Sequence, residues 1–101
     1  MNIEIRNAEQ RSRYELTVDG ELASIVAYRT RDDGTVVFHH TETVARWRGN
    51  GLAEQVVRRA LDEARDAGAT IVPACWFVAE FVGAHPEYAD LTEPTASHPT
   101  T

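Results

Sequence analysis

The chain changes its hydrophobic period at one place. Up to Val44 apolar residues alternate with polar ones, and from Leu52 onward they recur at helical spacing. Between the two regimes lies Arg48-Gly49-Asn50-Gly51-Leu52-Ala53. Alternation followed by a helical stripe confines the fold to strands first and a helix after them. Ile3 and Ile5 alternate, and so do Tyr14, Leu16 and Val18. Asp19-Gly20 then supplies the residues that a tight hairpin turn requires. Leu22 to Tyr28 predicts a third strand, Asp32-Asp33-Gly34 a loop, and Thr35 to Val44 a fourth strand rich in β-branched and aromatic residues. The first half therefore reads as an antiparallel meander.

Leu52, Val56, Val57, Ala60, Leu61 and Ala64 form one helical stripe. Glu54, Arg58, Arg59, Asp62, Glu63 and Arg65 occupy the other side, with Arg58/Asp62 and Arg59/Glu63 spaced to pair. Gly68 stops the helix. Residues 69–74 are nearly all apolar, as a buried strand would be. A strand, a helix and a parallel strand make a right-handed crossover. A second helix is predicted over 76–84, with Phe77/Phe81 and Val78/Val82 at i,i+4, ended by His85-Pro86. The expectation is one α/β domain over residues 1–91, a mixed sheet with two helices, followed by a disordered tail at 92–101 that has no apolar anchor.

The glycine turn carries the first functional signal. At a strand-to-helix junction the first amides of the helix lack intrahelical acceptors and sit at the positive end of its dipole. Glycine lets an anion approach the main chain without meeting a Cβ. Such a turn suits phosphate, although a plain tight connection has the same composition. A Walker loop needs Gly-Lys-Ser/Thr, which is missing, and a dinucleotide fingerprint would not carry Glu54 at its last glycine position. The formal net charge of −6 argues against general nucleic-acid binding. No run approaches the ~18 apolar residues of a membrane helix. No secretory h-region is apparent, and one cysteine, Cys75, excludes an intrachain disulfide. A soluble, cytoplasmic protein is expected, with neither nucleic acid nor membrane as partner.

The turn and its flanks resemble the GNAT superfamily of acetyl-CoA-dependent N-acetyltransferases. Their motif at this junction is Gln/Arg-x-x-Gly-x-Gly/Ala, which Arg48, Gly51 and Ala53 meet. His40-Thr41-Glu42, Pro73-Ala74-Cys75 and His85-Pro86-Glu87-Tyr88 look like a small single-domain subfamily. Within the fourth strand that pattern has valine where this chain has Thr43. The resemblance covers roughly residues 3–91. It implies that Arg48, Gly49, Asn50, Gly51, Leu52 and Ala53 hold the pyrophosphate of coenzyme A. It also implies that the pantetheine arm runs beside Thr43 and Val44, where the fourth and fifth strands splay, and that acetyl passes to an amine.

Acetyl transfer needs an unprotonated amine, help for the oxyanion and an acid for the departing thiolate. Cys75 lies where the second helix begins, a position that favours thiolate. It could take the acetyl group, protonate leaving coenzyme A, or simply pack, as free cysteines often do. His40 and Glu42 alternate on the face of Val36 and Phe38 and could deprotonate the amine, or merely be an exposed polar end. His39 points the other way. Tyr88 could protonate a thiolate, or pack in a closing turn. His40-x-Glu42 with Pro73-x-Cys75 echoes the zinc deaminases, but without a second cysteine it does not complete a metal site. The acceptor, a small molecule or a protein amine, has no elaborate pocket, so its site is open or shared in a homodimer. The alternative is a non-catalytic module that binds coenzyme A or acyl-CoA.

Overall fold

The computed structural model describes residues 1–92. Of the segment expected to be disordered, Thr92 forms an isolated parallel bridge with Ile71; the rest lies outside the described residues.

The meander forms as the alternation dictates. Strands β1 (Ile3–Ala8), β2 (Arg13–Val18), β3 (Glu21–Thr30) and β4 (Val36–Thr43) pair antiparallel in chain order. Asp19 and Gly20, with φ of 50° and 84°, make the β2–β3 turn with both residues left-handed, the arrangement that matches strand twist. Helix α1 (Leu52–Asp66) buries the predicted stripe in full. β5 (Ile71–Pro73) then adds parallel to β4 at the sheet edge, and α2 (Trp76–Ala84) and a 3-10 segment (Pro86–Leu91) close the domain.

Both helices pack on one face of the sheet. That core joins Leu16, Val18, Val26, Phe38 and Ile71 of the strands to Val56, Val57 and Leu61 of α1 and Val78 and Phe81 of α2. The opposite face carries no helix among the described residues, which corrects the expectation of a buried fifth strand. Ile71 faces the helices and is buried, whereas Val72 beside Val37 is only half-buried. Register aligns Arg6, Glu15, Ile25 and Glu42 in one row across this open face. Glu15 is buried there beneath three arginines, Arg13 at 2.8 Å, Arg11 at 3.3 Å and Arg6 at 3.5 Å. Burial alone would raise its pKa, but the Arg13 hydrogen bond and the three positive charges hold its carboxyl below the ordinary value.

Of the two ion pairs expected along α1, Arg59 and Glu63 meet at 2.8 Å. Arg58 turns instead to the hydroxyl of Tyr88 at 3.2 Å.

Candidate active site

The fourth strand is not continuous in register. Ala27 stands opposite His40 and Tyr28 opposite Phe38, so His39 is an inserted residue, a β-bulge. Upstream of it Phe38 faces the helices. Downstream Thr41 pairs with Val26, and Thr43 with Ser24, on that same helix side. His40 and Glu42 therefore stand on the open face with Val37, not on the face of Val36 and Phe38. The extra residue defeats simple alternation. The His40 Nε2 and Glu42 Oε1 atoms lie 3.3 Å apart and both side chains are exposed.

β4 and β5 separate beyond the bulge. They pair only over Val36–Ile71, Val37–Val72 and Phe38–Pro73, and the Cys75 N–H donates to the Phe38 carbonyl at 2.9 Å as the strands part. Among the described residues, 39–43 then have β3 as their only strand neighbour. The Val44 N–H donates to Ala23 at 2.8 Å and the Val44 carbonyl accepts from Trp47 at 2.8 Å, so Val44 offers no main-chain group. That corrects half of the expectation for the strand end. Thr43, one residue earlier, turns its N–H and C=O towards the gap. Its carbonyl accepts from Arg48 Nε at 3.3 Å.

The glycine turn opens into the same region. The Arg48 amide is spent on the Ala45 carbonyl at 3.2 Å, so the run of free amides begins at Gly49, one residue later than expected. The amides of Gly49, Asn50, Gly51, Leu52, Ala53 and Glu54 have no acceptor among the described residues. Gly49 and Gly51 adopt φ of 84° and 71°, which only glycine takes without strain. Asn50 folds its side chain back onto the Trp47 carbonyl at 2.9 Å, fixing the turn. A cleft of about 200 Å³ beside these amides is lined by Thr43, Trp47, Arg48, Leu52, Glu54 and Phe77. The indole N–H of Trp47 is buried without a hydrogen-bond partner among the described residues. One feature opposes an anion: Glu54 Oε1 lies 3.5 Å from where a Cβ on Gly51 would sit, although that side chain is exposed and free to swing.

Phe77, in the cleft wall, lies two residues beyond Cys75. The half-buried Cys75 Sγ is 3.4 Å from Thr41 Oγ1. Burial pushes the thiol pKa up, but the Thr41 hydroxyl and the amides of Val78, Phe77 and Thr41 outweigh it, and the net shift is downward. The structure thus brings Cys75, Thr43 and the glycine turn to one side of the β4–β5 gap and leaves His40 and Glu42 on the other.

It does not bring Tyr88 to the thiol. Tyr88 is buried against Phe81, in the C-terminal half of α2, while Cys75 precedes the N-terminus of that helix. Its hydroxyl donates to Asp62 at 2.6 Å, and burial with that carboxylate raises its pKa. Asp62 and Arg58 hold Tyr88 as a structural tie between α1 and the closing segment, which favours the packing alternative and corrects the reading of Tyr88 as an acid for the thiolate. Sequence reasoning missed Thr41, Trp47 and Phe77. Only the bulge turns Thr41 to the thiol, and no local residue pattern announces it.

A family model described as GCN5-related N-acetyl-transferase matches residues 13–91. Among solved structures, the solution structure of a GCN5-like N-acetyltransferase candidate from Staphylococcus aureus superposes with a TM-score of 0.70 at 19% identity, covering 98% of each chain. The crystal structure of a ribosomal-protein-alanine N-acetyltransferase from Brucella melitensis biovar Abortus 2308 gives a TM-score of 0.54 at 17% identity, over 88% of this chain and 68% of that one. At these identities both are similar in fold alone. No curated protein sequence matches the chain.

Proposed function

This chain belongs to the GCN5-related N-acetyltransferase family, and from that premise we propose that residues 1–91 form one domain that moves acetyl from acetyl-CoA to an amine. The observation that carries the proposal is the run of amides from Gly49 to Ala53, unpaired among the described residues, at the N-terminus of α1 beside a cleft that Thr43 and Phe77 line. Acetyl-CoA would supply the activated acetyl thioester.

The residues fit it as follows. The amides of Gly49 to Ala53 hold the diphosphate by hydrogen bonds and the helix dipole. Arg48, already against the Thr43 carbonyl, adds positive charge at the same turn. The Thr43 N–H is the main-chain donor available to an extended amide-bearing arm in the gap. Cys75 is the acetyl-accepting thiol. Its Sγ forms the new thioester bond as the thiol of coenzyme A departs, and the acyl group then passes to the amine. The acceptor enters from the open face, where His40 and Glu42 form an exposed proton-accepting pair. The exposure of both side chains suits an accessible amine on a small molecule or a protein.

Isothermal titration with acetyl-CoA tests the cradle. Wild type is expected to bind, and Gly51→Glu, which sets a carboxylate among the amides, to weaken binding about a hundredfold or more. Equal affinities, with the circular dichroism spectrum unchanged, would return the turn to a purely structural role.

A further inference from the structure

β1 is an edge strand, and among the described residues no strand pairs with its outer side. The sheet order places it opposite β5, and a hollow of about 600 Å³ runs along residues 3–6, bounded by Glu15, Thr17 and Arg59. Asn2 turns its carbonyl to β2, accepting from the Asp19 N–H at 2.8 Å. By alternation Glu4 and Arg6 also bond inward, so Ile3, Ile5 and Asn7 present their N–H and C=O groups outward. Such a row is a template for another strand.

We propose that the occupant is a second copy of this chain, paired antiparallel through β1 about a two-fold axis at Ile5, to give one continuous ten-stranded sheet. Hydrogen-bond parity requires outward-facing residues to meet, which excludes any register that sets an odd residue against an even one. Charge then selects among the rest. With Ile5 opposite its mate, Ile3 meets Asn7, and Glu4 meets Arg6 twice across the axis. Both charged side chains are exposed and lie on the helix-free face. Sliding by one pleat in either direction sets Glu4 against Glu4 or Arg6 against Arg6, which is repulsive at this range. One register is therefore attractive and its neighbours are not. Ile3 and Ile5, half-buried at the edge of the core, would lose their remaining exposure.

Sedimentation equilibrium at physiological salt, which screens the net charge of −6 on each copy, tests the pairing. Wild type is expected to form dimers across a concentration series reaching hundreds of micromolar, with the Ile3, Ile5 and Asn7 amides protected from hydrogen exchange. Glu4→Arg alone, or Arg6→Glu alone, places like charges on both crossings and should raise the dissociation constant about tenfold or more. Mixing the two single variants makes every crossing attractive again, as does combining both substitutions in one chain. Either should restore dimerisation to within about threefold of wild type. A monomer throughout the series, a dimer indifferent to the single substitutions, or a loss that neither the mixture nor the double variant repairs would each overturn the proposal.

Discussion

The thiol of Cys75 owes its lowered pKa to neighbours that can be removed singly. The Thr41 hydroxyl, 3.4 Å from Sγ, favours the thiolate over the thiol. In Thr41→Val that donor is gone while burial, which opposes ionisation, stays. The pH midpoint for alkylation by iodoacetamide should move up, and the rate at neutral pH should fall severalfold, with acetyl-CoA affinity little changed. A midpoint that stays put would mean the helix amides act alone. Glu54 is the opposite case, a carboxylate beside the amides proposed to hold the diphosphate. Glu54→Gln removes that repulsion and keeps the shape, so calorimetry should find acetyl-CoA bound about three- to tenfold more tightly at low salt. Weaker binding would mean that Glu54 helps to shape the turn.

At the scale of elements, α2 shows what periodicity can and cannot convey. Its limits at Trp76 and Ala84 were readable from the i,i+4 pairs and from His85-Pro86, but an almost wholly apolar helix does not say which side is inside. In the structure Trp76 is 72% exposed, while Phe81 is 4% exposed, stacked on His85 with centroids 4.0 Å apart and packed against Tyr88. Phe81→Ala should cost about 3–5 kcal/mol in urea denaturation, whereas Trp76→Ser should stay within about 0.5 kcal/mol. Similar costs at both positions would refute this division of faces. The helical stripe of α1, the Asp19-Gly20 hairpin and the glycine turn were equally legible, because each depends on neighbours in sequence. The placing of His40, Glu42 and Thr41 was not. It turns on one inserted residue, His39, whose effect is visible only against the partner strand. The Tyr88 contacts with Asp62 and Arg58 were hidden for the same reason, being separated by 26 and 30 residues.

At the scale of the whole molecule the described residues form a sheet with helices on one side only, and its other side is held by charge as well as by apolar contact. Glu15 makes that arrangement sensitive to acid. Its folded-state pKa is depressed, so its contribution is fully present above the ordinary carboxylate value and is lost as pH falls through the lowered one. Glu15→Gln should reduce stability at neutral pH by about 2 kcal/mol and flatten the acid limb of a plot of melting temperature against pH. An unaltered limb would assign acid lability to other groups. The two tryptophans divide between these environments as well. Trp47 lines the cleft with its N–H shielded, and Trp76 stands in water. Iodide should therefore quench the emission of one indole and spare the other. With Trp76→Phe, the remaining fluorescence becomes a built-in optical gauge of whatever enters beside the glycine turn, with no label attached.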